Sequence, residues 1–251
     1  MNNDRLRALH DEHLPHVVAR RLRQSVESQN VSDAVLGGID GCITTFAIVA
    51  GAVGAGFSAS VALILGFANL IADGFSMAVS NYEALKVRSE LREDLRRIEE
   101  EHIDAVPLGE REEIRQIFHQ KGFDGEILER IVDTITSDRR LWIDTMLMEE
   151  HGLQRSDTNP WQSAAVTFAA FAFAGAIPLL PLLFGTWDMR ERFILSAGLA
   201  AIVFFSIGML KSLVSSRSAL LSGLRTLLTG GTAAGLAYVI GRLLREGFGL
   251  L

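Results

Sequence analysis

Three short acidic runs share one stretch of this chain: Glu99-Glu100-Glu101-His102, Glu110-Arg111-Glu112-Glu113 and Met146-Leu147-Met148-Glu149-Glu150-His151. Glu99 and His102 stand three residues apart, as do Glu110 and Glu113, and Met146 and Glu150 stand four apart. On helices, each of these pairs shares a face. Carboxylates, an imidazole and a thioether converging from three helices would hold a divalent transition metal. The carboxylate oxygens alone would suit calcium or magnesium equally well. Glu-x-x-Glu on a solvated helix is commonplace, so no single pair defines a site; their coincidence is what points to one.

A second set of polar residues lies in apolar surroundings. Asp40 follows the start of one apolar segment and Asp73 falls late in the next, with Met77 four residues beyond it on the same helical face. Thr44 and Thr45, one turn on from Asp40, add oxygens along that side. A carboxylate in hydrocarbon costs several kcal/mol unless it is paired, protonated or coordinated, so Asp40 and Asp73 are candidates to line a transport path, with Met77 and Thr44. The competing structural reading is an aspartate near an interface that snorkels or caps a helix. Gly37, Gly38, Gly41, Gly51, Gly54 and Gly56 allow a second helix to approach closely, which fits either a narrow polar path or tight dry packing.

The elements that must position these groups follow from the hydropathy pattern. The chain has 251 residues, 49% of them hydrophobic, and a mean hydropathy of +0.25. The uncharged runs 163–184 and 193–210 are each about long enough to cross ~30 Å of hydrocarbon as a helix. Further spans are expected over 34–57 and 59–80, joined by a tight Gly-Phe-Ser connection, and over 220–240. About two-thirds of the 30 acidic residues fall between spans two and three. There, helices are expected over 82–102, 109–120, 125–136 and 138–151. Ile114, Ile117, Phe118, Ile127, Leu128, Ile131 and Val132 recur at helical spacing and would form a small core. The fold class read from this pattern is an all-α membrane protein: five transmembrane helices with a cytoplasmic helical metal-binding module inserted between helices 2 and 3. The segments are 1–33 (amphipathic and cytoplasmic), 34–82 (spans one and two), 83–158 (the module) and 159–251 (spans three to five).

Charge excludes several classes. The net charge of −6 combines a basic first thirty residues with the acidic insertion, and no basic face is present for nucleic acid. Cys42 is the only cysteine, which leaves no internal disulfide and no thiolate cluster. The N-terminal residues lack a signal-peptide core and read as an amphipathic helix, with Leu6, Leu9, Val17, Val18 and Leu22 set against arginines. His10, His13 and His16 read as surface histidines. Arg20, Arg21, Arg23, Lys86, Arg88, Arg92, Lys211, Arg217 and Arg225 share one side if the N-terminus is cytoplasmic, and Arg190, Arg192, Arg242 and Arg245 oppose that bias. The expected orientation is N-terminus inside.

Two of these segments resemble the first two spans of the vacuolar iron transporter family: Asp40-Gly41-x-x-Thr44-Thr45-Phe46-Ala47-x-Val49-Ala50-Gly51 and Asn69-Leu70-x-Ala72-Asp73-Gly74-x-Ser76-Met77-Ala78. The likeness continues through Pro107-x-x-Glu110-x-x-Glu113-Ile114, Lys121-Gly122 and Asp144-Thr145-Met146-x-x-Glu149. The resemblance implies a homodimer in which Asp40 and Met77 line the path at the subunit interface. It also implies that Glu99, Glu110, Glu113 and Glu150 bind metal in the module, with Met146 nearby. His102 stands where the family usually has another glutamate, a departure that lowers the negative charge of the site; Glu101 would substitute if the alignment slipped by one.

The function this implies is movement of Fe2+, or Mn2+, Zn2+ or Co2+, out of the cytoplasm by proton antiport. The metals are substrates and module-bound ions, with no prosthetic group. The expected partners are divalent metal ions, protons, the lipid bilayer and a second subunit. With no plant-type or fungal extension in view, the expected location is a bacterial cytoplasmic membrane, or a vacuolar membrane in a eukaryote. Two alternatives compete. One is a membrane-anchored di-iron ferroxidase, which needs two Glu-x-x-His motifs and further glutamates where this chain has one such motif and His151 besides. The other is a metal-gated cation channel.

Overall fold

The computed structural model describes residues 7, 10–23, 28–153, 158–185, 187–212 and 218–248. Leu6, Leu9 and Arg217 lie outside the described residues, as do the side chains of Arg20, Arg21, Leu22 and Arg23. Among the described residues the chain is helical, without strands: α1 (Pro15–Arg23), α2 (Ser28–Ala55), α3 (Ala59–Ala105), α4 (Pro107–Gln120), α5 (Gly125–Thr136), α6 (Arg139–Glu149), α7 (Pro160–Ala176) continued by a 3-10 turn (Ile177–Leu183), α8 (Met189–Lys211) and α9 (Ala219–Phe248). In α1, Val17 and Val18 are half-buried, while His10, His13 and His16 are exposed.

Among the described residues, five helices are long and apolar enough to cross a membrane: Gln29–Ala55, Ala59–Ala105, Pro160–Leu183, Met189–Lys211 and Ala219–Gly247. The third differs from a plain helical span. Pro178 and Pro181 remove amide donors that α-helix continuation needs, and the chain tightens into 3-10 geometry from Ile177. The second is one unbroken helix of 47 residues. At ~1.5 Å per residue it runs to roughly 70 Å, over twice the hydrocarbon thickness, so α3 continues well beyond the bilayer.

The chain divides into two compact units, Met1–Ala78 with Ala165–Leu251, and Val79–Ala164. In the first unit α2 is central and packs on α8, α9 and the 3-10 turn. It does so through missing side chains. A Cβ at Gly37 or Gly41 would strike the backbone carbonyls of Thr167 and Phe171 on α7, and one at Gly54 would strike that of Tyr238 on α9. Gly241 of α9 abuts the Gly51 carbonyl in the same way. Without a hydrophobic drive between helices in lipid, such backbone-to-backbone packing is a main source of association. Cys42, Phe46, Val49, Ala50, Phe204 and Leu179 fill the centre of this unit.

The second unit is a small helical domain with its own core of Ile103, Ile114, Leu128, Val132, Ile135, Trp142, Ile143, Met146 and Leu147. Asp124 caps α5 through the Gly125 amide at 2.8 Å, and Asp138 caps α6 by accepting from the amides of Arg140 (2.9 Å) and Leu141 (3.1 Å). Helix α4 starts at Pro107, two residues before the expected Gly109, because proline suits the first helical position, where no amide donor is needed. Ile127 does not join the core: it is 64% exposed. Leu128, Val132 and Ile135 already form the i, i+4, i+7 stripe, and Ile127 sits about 100° away around the helix.

Gly41→Ala should lower the thermal stability of the detergent-solubilised protein. Driving a methyl into the Phe171 backbone costs about 1–3 kcal/mol, against the roughly 1 kcal/mol alanine gains over glycine in a helix. Gly198→Ala, where a Cβ meets nothing, should be neutral or stabilising. Thermal melts of the two variants side by side check this.

Candidate metal centre

The carboxylates of the second unit fall into two groups. Many surface ones are answered by arginine: Asp144 by Arg92 at 3.3 Å, Asp104 by Arg139, Asp133 by Arg111, and Glu129 by Arg115 at 2.8 Å. Guanidinium contacts hold the carboxyls of Asp104 and Glu129 below the usual range. Glu149 pairs with Lys121. Among the described residues, no lysine or arginine pairs with Glu99, Glu110 or Glu150.

Those three meet histidines instead. His151 Nε2 lies 2.8 Å from Glu99 Oε1 and 3.9 Å from Glu150 Oε2, and His102 Nδ1 lies 3.3 Å from Glu110 Oε1. Two triads result, Glu99–Glu150–His151 and Glu99–His102–Glu110, each with donor atoms within 4.8 Å of one another and both using Glu99. Glu99 and Glu110 are each only 2% exposed, and the Oε2 atom of each is buried without a hydrogen-bond partner. A buried acceptor left unpaired costs on the order of 1–3 kcal/mol, and more when charged. A cation seated among these oxygens would remove that cost, so the residues fit a divalent metal.

The electrostatics agree. Burial, then the charges of Glu113 and Glu99, push the Glu110 carboxyl up to about 7, with His102 opposing and Glu150 adding to the rise. Glu113 is raised by burial and by Glu150 and Glu99. Glu113, itself exposed and in neither triad, lies within electrostatic reach of the same cluster. The structure thus gathers Glu99, His102, Glu110, Glu113 and Glu150. Met146 is fully buried in the unit's apolar core, on the turn of α6 whose carbonyl accepts the Glu150 amide at 3.0 Å. Glu101 is exposed on another side of α3 and belongs to neither triad, so Glu99 supplies the carboxylate and His102 its neighbour one turn on.

His151 is the residue that spacing did not select. It follows the end of α6, where helical periodicity no longer predicts direction. Gly152 at φ 67° turns the chain, and the Leu153 amide closes on the Leu147 carbonyl at 2.8 Å. The run Glu149-Glu150-His151 was the only signal in the sequence.

In the membrane unit, Asp40, Asp73, Met77 and Thr44 are all half-buried. Asp40 and Asp73, on α2 and α3, are close enough for their charges to interact. The Thr44 hydroxyl donates to the Asp40 backbone carbonyl at 2.9 Å, a local i−4 bond that ties up its proton while its lone pairs remain available. Thr45 is fully buried, against α7, and its hydroxyl lacks a partner.

With this arrangement in view, comparison with known proteins is direct. A sequence profile of the VIT family matches residues 31–242, and the chain belongs to that family. It is 30% identical over 230 residues to the vacuolar iron transporter of Toxoplasma gondii, covering 88% of this chain and 76% of that one. It is likewise 30% identical over 240 residues to vacuolar iron transporter 2 of Oryza sativa, covering 94% of each. With vacuolar iron transporter 1 of Arabidopsis thaliana the identity is 29%, over 86% of each chain.

Glu110 yields a prediction with a definite sign. Its folded-state pKa of about 7 exceeds the ordinary 4.5, so between these values the native state binds more protons than the unfolded chain. Metal-free stability should therefore be lowest above about pH 7 and rise as the pH falls towards 4.5. Glu110→Gln should raise the metal-free Tm at about pH 8 and bring little change near pH 5. It should weaken Co2+ binding about 10–100-fold. Calorimetric melts at the two pH values and titration calorimetry with Co2+ check both.

Proposed function

We propose that this protein is a metal-ion transporter that moves Fe2+, or a similar divalent transition metal, out of the cytoplasm in exchange for protons. The observation that carries this reading is the cluster around Glu99 and Glu110: buried carboxylates, unanswered by lysine or arginine, in a chain with five membrane-length helices. The names of the family relatives as iron transporters support the choice of iron.

In this reading the cluster faces the cytoplasm and captures the ion, raising its concentration near the membrane. Asp40 then takes the metal in place of a proton, with Met77 as a soft ligand and Asp73 adding negative charge nearby. Return of a proton to Asp40 from the far side releases the ion. A proton and a metal ion compete for the same carboxylate oxygens, which is the physical basis for exchange. The glycine contacts of α2 are consistent with such a cycle, since they hold Asp40 on a helix with little freedom to shift. The functional unit is a homodimer with the N-terminus inside, in a bacterial cytoplasmic membrane or, in a eukaryote, the vacuolar membrane.

Asp40→Ala should abolish Fe2+ uptake into liposomes while the oligomer survives size-exclusion chromatography. Full transport by that variant would refute the role of Asp40. In the wild type, an imposed pH gradient should drive metal uphill with a matching change in internal pH. Metal flux that only runs down its own gradient would instead indicate a channel.

A further inference from the structure

We infer that His151 is a metal ligand, and that His151 and His102 place an imidazole on either side of a shared Glu99, so that the cluster selects borderline transition metals over Mn2+, Mg2+ and Ca2+. This rests on the metal-capture reading above and specifies which ions it favours.

Three observations carry it. First, donor atoms on one ion stand at most about twice a bond length apart, roughly 4.2 Å for ligands at ~2.1 Å. Both triads, with separations up to 4.8 Å, need only small side-chain shifts to close on an ion, and each contains one imidazole. Second, His151 satisfies one oxygen of Glu99 at 2.8 Å, yet the other oxygen stays buried and unpaired, as does one oxygen of Glu110. An imidazole present only to satisfy Glu99 would leave both of those atoms unanswered. Third, the His151 backbone is fixed by the turn at Gly152 and the Leu153-to-Leu147 hydrogen bond, not left to a mobile end.

The selectivity follows from ligand chemistry. Carboxylates alone serve Mg2+, Ca2+ and Mn2+ well, whereas imidazole nitrogen suits Fe, Ni, Cu and Zn. Affinity at mixed nitrogen and oxygen sites rises from Mn2+ through Fe2+ and Co2+ to Ni2+. Two imidazoles among the carboxylates therefore widen the gap between Mn2+ and its heavier neighbours.

The test uses the untagged, full-length protein in detergent, with Co2+ and Mn2+ as probes in chelator competition and X-ray absorption to register imidazole around bound Co2+. The exposed His10, His13 and His16 are common to every variant and cancel in the comparison. His151→Gln should weaken Co2+ binding about tenfold or more, weaken Mn2+ binding less, and reduce the imidazole signature. His151→Glu should restore Mn2+ binding while the preference for Co2+ stays reduced. If His151→Gln keeps wild-type Co2+ affinity and signature, or loses both metals equally, the inference is overturned. Glu99→Gln separates the two levels: if it retains full Co2+ binding, metal capture by this cluster fails altogether. If it loses binding while His151→Gln does not, only the role of His151 is withdrawn.

Discussion

Two carboxylates, Glu99 and Glu110, are withdrawn from water in a small helical domain, with imidazoles and further carboxylates beside them and, among the described residues, no lysine or arginine paired with either. A buried charge without a firm counter-charge is among the costliest arrangements a protein can hold, and it persists only where the surrounding fold imposes it. Here the imposition comes from the apolar core on which the same helices pack, with Ile103 one turn on from Glu99 and Ile114 one turn on from Glu110. Nearby surface carboxylates show what the chain does when charge is merely to be balanced: Asp104, Asp133 and Glu129, for example, each meet an arginine. The contrast sets the cluster apart from the charge-balanced surface around it.

The membrane unit works under a different constraint. Lipid offers no hydrophobic gain for bringing apolar helices together, so α2 is held by the closeness of its backbone to α7 and α9 at Gly37, Gly41 and Gly54. Asp40 sits on the turn between Gly37 and Gly41 and inherits their fixed position. Asp73, one helix away, is near enough for the two charges to feel each other. A pair of acidic groups in such a setting responds to any cation, proton or metal, that reaches it.

These two constraints suit successive stages of one task. The cluster in the helical domain has carboxylates, two buried oxygens without a hydrogen-bond partner, and two imidazoles. Asp40 and Asp73, half-buried on two helices of the membrane unit, are near enough for their charges to interact. In the proposed cycle the first would gather the ion and the second would pass it on in exchange for a proton.

The sequence by itself determined the class of fold, because hydropathy and helical period act locally. The five membrane-length helices and the acidic helices were legible in residue order, the latter expected over 109–120, 125–136 and 138–151 and found at Pro107–Gln120, Gly125–Thr136 and Arg139–Glu149, with the second span running on as one helix of 47 residues. Spacing at i, i+3 also paired Glu99 with His102 and Glu110 with Glu113, since it fixes which side chains share a helical face. Tertiary structure decided what no period encodes. It set Glu99 at the junction of two triads, and it brought in His151 from beyond the end of α6, where a glycine at positive φ, not a helix, sets direction. It turned Ile127 outward because its neighbours already filled the core, and it tightened the third span where two prolines removed the donors an α-helix requires. Each of these depends on which helix lies opposite or on how a helix stops, and both are settled only when the chain packs on itself.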